Sequence, residues 1–139
     1  MTVDEIKTGV VIDHIEAGKA MEIYRFLGLD KLDCPIAIIK NALSKRMGRK
    51  DIIKIDHEAS IDLSVLGYIA PNVTVNVIEN GKNVKKFHPE LPTEIVDIVK
   101  CKNPRCITST EQELSHIFKL TDKENHVYRC IYCESKAKN

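Results

Sequence analysis

Four of the five cysteines in this chain lie in two close pairs, Cys101 with Cys106 and Cys130 with Cys133, separated by 23 residues. A C-x4-C pair and a C-x2-C pair can each form a knuckle, a tight turn that points two thiolates at one ion. Four thiolates close a tetrahedron around zinc and leave no position for water, so the expected ion, Zn2+, is structural. Two disulfides, four unrelated buried thiols and an iron centre of the same geometry are the alternatives. The start of the chain, residues 1–10, lacks a basic segment followed by an apolar run. No stretch approaches the ~20 apolar residues that span a bilayer. The expectation is therefore a cytoplasmic protein with no membrane contact, and in that compartment thiols stay reduced and paired cysteines favour metal. The residues between the pairs carry no redox signature, which favours zinc over iron.

Between the pairs, Leu114, Phe118 and Leu120 alternate with polar neighbours, with His116 on the same face, as in a half-buried strand. Residues 121–125 read as a polar turn and 126–130 as the returning strand. With residues 94–101 as a first strand, this is a small all-β unit. Roughly 45 residues cannot bury a self-sufficient core, so metal must supply much of the folding free energy. His116 and His126 are then ordinary core-edge or surface residues rather than ligands. Cys34 stands apart, ahead of an aliphatic strand, and is expected to be a buried thiol. Pro89 and Pro92 suit neither helix nor central strand and mark a link. The domains are expected to be 1–93 and 94–139.

Residues 9–15 read as a strand. A helix follows, with a stripe of Ala17, Ala20, Met21, Tyr24 and Leu27 and a stop at Gly28. Residues 35–43 are an aliphatic strand, 44–51 a polar hairpin loop and 52–58 the next strand. A helix over 60–70 opens at Ser60 and stops before Pro71. A strand with Val73, Val75 and Val77 on one face leads through a turn at Gly81 to a final strand. The fold class is α+β: a ferredoxin-like βαββαβ sandwich with an added strand, followed by the zinc-binding domain.

Alternation sets Thr74, Asn76 and Ile78 opposite the valines, and Ile52, Lys54 and Asp56 opposite Ile53 and Ile55. Lys85 and Lys86 fall on either face of the last strand, and Lys45, Arg46, Arg49 and Lys50 sit in the loop. Any one lysine reads as a solvated surface group. Together they suggest an anion such as phosphate, which Lys meets as a point charge. Neither a P-loop nor a G-x-G-x-x-G is present. Asp13 beside His14 raises acid–base chemistry, but strand neighbours point to opposite faces and should not touch. The formal net charge of +1 is too balanced for bulk attraction to nucleic acid. A nucleic-acid-binding zinc ribbon would rely on Lys102, Arg105, Lys119, Lys123, Tyr128, Arg129 and Tyr132, which Glu111, Glu113, Asp122 and Glu124 interrupt.

The segments VVIDHI, MGRKDIIKI and YIAPNVTVN, followed by C-x4-C-x23-C-x2-C, occur in an order that closely resembles the regulatory chain of aspartate carbamoyltransferase, from about Val3 to Cys133. The resemblance implies a chain without catalytic activity. It implies an N-terminal domain that binds nucleoside triphosphates, with CTP as feedback inhibitor, ATP often as activator and UTP as a further effector. It also implies a zinc domain that docks on the catalytic chain, and homodimers that bridge catalytic trimers in pyrimidine biosynthesis. Nucleic acid is then not an expected partner. Carried over residue by residue, the effector site comprises Val3, Asp4, Glu5, Ile6, Asp13, His14, Lys54, Asn76, Ile78 and Lys86. Lys86 corresponds to a lysine that holds the triphosphate. The zinc ligands are Cys101, Cys106, Cys130 and Cys133. Gly81 and Asn83 depart from the family pattern, which has bulkier pocket residues there.

Overall fold

The structure is a computed structural model that describes residues 8–56 and 63–137. The chain divides into two compact units, Met1–Glu90 and Leu91–Asn139. The first carries strand β1 (Gly9–Glu16), helix α1 (Ala20–Phe26), a 3-10 turn (Leu29–Lys31), strands β2 (Ile36–Ser44) and β3 (Gly48–Ile55), helix α2 (Leu66–Ile69), and strands β4 (Thr74–Glu79) and β5 (Lys82–Phe87). The sheet runs β2-β3-β1-β4-β5, antiparallel throughout. This is the split-βαβ arrangement with one strand added beyond β4.

One face of the sheet builds the core. Ile12 lies between Ile53 and Val75 in register, and all three are fully buried with Ile15 and Ile55. Ala20 and Ile23 of α1, Leu29, and Leu66 of α2 close over them. The buried stripe of α1 is thus Ala20 and Ile23, with Tyr24 and Leu27 packed beside them. Met21, expected on the stripe, is exposed, and Ala17 precedes the helix and is exposed too. Gly28 ends the segment in the left-handed region at φ 63, a conformation that costs glycine little. The described part of the second helix is the single turn α2, which closes at Ala70 ahead of Pro71. Ser60, its expected cap, lies outside the described residues. Cys34 is half-buried against the core rather than fully buried.

Three register shifts interrupt this sheet: one where β5 spends an extra residue between Lys85 and Asn83, opposite Val77 and Ile78, and two bulges in β1 and β2. Strand β1 spends three residues where β3 spends two, between Ile12 and Ile15, and His14 takes φ 57. Ile12 and Ile15 therefore share the buried face although three positions separate them. A second bulge lies in β2 between Ile39 and Ala42, with Asn41 at φ 61. Strand β3 also begins earlier than expected. Ladders on both sides draw Arg49, Lys50 and Asp51 out of the loop and into the sheet.

In the second unit, strands β6 (Glu94–Val96), β7 (Ile117–Asp122) and β8 (Val127–Cys130) form a sheet of order β6-β7-β8, with one helical turn, α3 (Ile107–Thr110), after Cys106. Strand β7 starts at Ile117 rather than at Leu114. Asp97 and His116 clasp one another ahead of it: the Asp97 N–H donates to the His116 carbonyl, and the His116 N–H donates to Asp97 Oδ1, both at 2.8 Å. The apolar core is Ile95, Phe118 and Tyr128, beside the cysteines. The Tyr128 hydroxyl donates to the Pro92 carbonyl, which ties the incoming chain to β8.

Candidate functional site

Among the described residues, the face of the larger sheet opposite the core collects Lys54, Asn76, Lys86, Ile78 and Asp13 of the expected effector residues. Cross-strand register runs Ala37–Lys54–Val11–Asn76–Lys86, so three of those residues stand in one row across β3, β4 and β5 with Val11 of β1 between. Paired residues in a sheet share a face. Ile78 is opposite Gly9 on that face, and Asp13 is opposite Thr74. Lys85 sits on the other face of β5, its ammonium 4.9 Å from the Phe87 ring centre. Among the described residues neither Lys54 nor Lys86 forms an ion pair. Val3, Asp4, Glu5 and Ile6 lie outside the described residues.

The bulge turns the backbone between Asp13 and His14, so that the main chain of His14 reaches the Asp13 carboxylate while the two side chains go to different partners. The His14 N–H donates to Asp13 Oδ1 at 2.6 Å, and the imidazole Nδ1 lies 3.1 Å from the Thr74 hydroxyl. The contact is through the backbone of His14, not its ring. Lys50 Nζ approaches Asp13 Oδ1 at 2.9 Å. Partial burial raises the Asp13 carboxyl, but the Lys50 hydrogen bond, the His14 N–H and the Lys50 charge outweigh it. The carboxyl is held below the usual aspartate value. Asn83 donates its amide to Asn76 Oδ1 at 2.9 Å, so a residue outside the family pattern engages one within the expected pocket.

Lys50, counted among the cations that suggest an anion, stands in a strand on this face, and Asp51, which the sequence reading does not single out, lies behind it. Lys50 was assigned to a loop, yet alternation read backward from Lys54 and Ile52 places it on the same face. Asp51 continues the set Ile53 and Ile55 and is fully buried with them.

In the smaller unit the four cysteine sulfurs all lie within 4.8 Å of one another. Cys101 and Cys133 are 3.5 Å apart and Cys106 and Cys130 are 3.7 Å apart. Zinc–thiolate bonds of about 2.3 Å in a tetrahedron require sulfurs about 3.8 Å apart, so the cage fits zinc. Asn103 shapes the first knuckle: its carbonyl accepts from the Cys106 N–H at 3.0 Å and from the Ser109 hydroxyl at 2.7 Å. In the second, the Glu134 N–H donates to the Cys130 carbonyl at 2.9 Å. The Thr108 hydroxyl donates to Cys106 Sγ at 3.1 Å, as an outer partner of a metal thiolate does.

Burial pushes the Cys101 thiol up to about 12 and raises Cys130 as well, while the Ser135 hydroxyl leads the groups that bring Cys133 down to about 6. A bound dication favours the thiolate form of its ligands. His116 is not a ligand: its Nδ1 accepts the Cys101 N–H at 3.1 Å. Tyr128, a candidate for base stacking, is buried at 1% exposure and offers no platform.

A family model described as aspartate carbamoyltransferase regulatory chain, allosteric domain, matches residues 1–90. A second, for the metal binding domain of the same chain, matches residues 93–139. This chain belongs to the aspartate carbamoyltransferase regulatory chains. It is similar to the protein of that name from Clostridium acetobutylicum, with 48% identity over 96% of this chain and 92% of the relative. The Clostridium tetani regulatory chain is 46% identical over 96% and 94% of the two chains. That of Bifidobacterium longum is 44% identical over 99% of both. As a regulatory chain it is not the catalytic component. Its allosteric domain contains the row of Lys54, Asn76 and Lys86, and its metal-binding domain contains the four-cysteine cage. Among the described residues no helix is long and apolar enough to cross a membrane.

Proposed function

We propose that the allosteric domain binds nucleoside triphosphates on the row Lys54–Val11–Asn76–Lys86, with CTP inhibiting and ATP or UTP acting as further effectors, and that the zinc domain passes the signal to catalytic chains in pyrimidine biosynthesis. The row itself carries this reading. It offers two ammonium groups without ion-pair partners among the described residues, one at each end of a strip of Val11 and the Asn76 amide. That combination suits an anionic ligand with an apolar, hydrogen-bonding body. Lys86 takes the phosphates, Lys54 and Asn76 the ribose and base side, and Ile78 one wall. Asp13 and His14 border the site, to which the family resemblance also assigns Val3, Asp4, Glu5 and Ile6.

The zinc domain presents Ile107, Ile131 and Tyr132, all exposed beside the knuckles, as an apolar surface for the catalytic chain. As the family resemblance implies, two copies pair, and the dimers bridge catalytic trimers in the cytoplasm. Regulation requires that each nucleotide bind one quaternary state better than the other, by typically ~1–3 kcal/mol.

The test reconstitutes the zinc-loaded chain with its catalytic chain. Carbamoyl-aspartate formation is recorded against aspartate concentration with this chain absent, present, and present with CTP or ATP. The expected result is a curve that moves with nucleotide. A complex that forms but ignores both nucleotides refutes the effector assignment, and the absence of any complex refutes the docking assignment.

A further inference from the structure

Asp51 is fully buried, and no cation is paired with it among the described residues. A carboxylate in that position must be hydrogen-bonded. Its partners are three backbone N–H groups from two separate segments. Gly18 and Ala20 donate to Oδ2 at 3.0 and 3.2 Å, and Asn41 donates to Oδ1 at 2.8 Å. Gly18 and Ala20 belong to the turn that follows the β1 bulge and opens α1. Asn41 belongs to the β2 bulge itself. Asp51 thus sits on the central of three strands and gathers the N–H groups that two flanking irregularities leave outside the ladders.

Its neighbour Lys50 leaves the opposite face of β3. Beyond the bulges Lys50 is opposite Glu16 on one side and Ala42 on the other. Both pairings exist because each flanking strand has one extra residue. A one-residue slip in register would exchange the faces of every following side chain. The register that brings Lys50 Nζ to Asp13 therefore depends on both bulges persisting, and the Asp51 carboxylate ties the β2 bulge to the turn into which β1 runs just past its own bulge.

We propose that Asp51 is a positioning residue of the effector face: by tying the β2 bulge to the turn at the end of β1 it holds the register that sets Lys50 against Asp13 at the border of the Lys54–Asn76–Lys86 row. Asp51 touches no ligand. The proposal takes its functional meaning from the effector reading above, but its structural half stands without it.

The test uses the full zinc-loaded chain, wild type and Asp51→Asn. An amide in this position faces at least one N–H donor with its own NH2. Two quantities are read: the titration midpoint of Asp13 by carboxylate NMR, and the dissociation constant for CTP by calorimetry. Loss of Lys50 from its place raises the Asp13 midpoint toward the ordinary aspartate value. Loss of the Asp51 charge alone lowers it, so the sign separates position from charge. The expected result is a raised Asp13 midpoint and at least tenfold weaker CTP binding, with the midpoint of Asp122 in the zinc unit unchanged. A folded variant whose Asp13 midpoint is unchanged or lowered overturns the proposal, as does a raised midpoint with unaltered CTP affinity. If the wild type binds no CTP, the effector reading has failed and the Asp13 midpoint alone decides the structural half. Should the asparagine variant not fold, Asp51→Glu is measured in the same way, and an unmoved midpoint there has the same consequence.

Discussion

The two units of this chain solve the same problem by different means. The larger one buries a continuous layer of isoleucine, leucine, valine and alanine between a sheet and its helices. The smaller has Ile95, Phe118 and Tyr128, and otherwise sulfur. Apolar burial stabilises at roughly 25 cal/mol per Å². That scale rewards the sheet and leaves the smaller unit short, since chain entropy costs about 1–2 kcal/mol per residue in either. Order in the first unit is therefore distributed over many contacts, so any one can be weakened. Order in the second is concentrated on one ion.

The sharpest way to break this contrast is to remove the metal. A strong chelator under reducing conditions should unfold the smaller unit alone, since structural zinc contributes about 10–16 kcal/mol of apparent binding free energy at neutral pH. Amide spectra should lose the dispersed signals of Phe118 and Tyr128 while those of Ile12 and Ile53 persist. If both sets collapse together, the units are not separately stabilised.

The reverse experiment is Ile53→Ala, a cavity at the centre of the larger sheet. It should cost about 2–5 kcal/mol of that unit's stability, read by denaturant titration, with no change in zinc affinity. Smaller still is Lys86→Met. It should weaken CTP binding about tenfold, or ~1.4 kcal/mol, with an unaltered unfolding midpoint, because an exposed end of an edge strand contributes little to the fold.

The smallest effect concerns the Asp13–Lys50 pair. A folded-state pKa below the unfolded one contributes stability above the unfolded value, near pH 3.9, and that contribution is lost as pH falls through the folded value. A partly exposed pair of this kind contributes about 0.2–1 kcal/mol. The unfolding midpoints of wild type and Asp13→Asn should differ at pH 7 and converge in acid. A gap that persists at low pH would show that the carboxylate charge is not its source.

The contrast also explains what could be read in the sequence. The cysteine spacing reports its own geometry, because a knuckle is local and four ligands specify one centre. The order of strands and helices was legible for a similar reason: Ile53 with Ile55, and Val73 with Val75, advertise a period of two. The bulges were not. Nothing in the string at Asp13–His14 or Lys40–Asn41 marks an inserted residue, since the insertion is relative to a partner strand far along the chain. Hence alternation separates the Asp13 and His14 side chains but gives no sign that the His14 N–H turns to the Asp13 carboxylate where the strand leaves its period. Lys50 was lost to a loop for a related reason: its strand is extended by ladders to β1 and β2 on both sides, which no local pattern shows. Asp51 was nearer to hand. A carboxylate in phase with Ile53 and Ile55 must be buried, and a buried carboxylate requires donors.

The row from Lys54 to Lys86 runs across strands rather than along one, and it crosses three interstrand steps. Neighbouring strands in a sheet are rotated by about 20–25°, so the row fans through roughly 60–75° from one lysine to the other. Its length and curvature are therefore properties of the sheet's winding, not of any single backbone. A molecule that grips both lysines acts as a gauge laid across a twisted ribbon. Winding the ribbon tighter or flattening it changes the span between the grips, so whatever alters the sheet's pitch alters the hold on that molecule, and the molecule resists the change in turn.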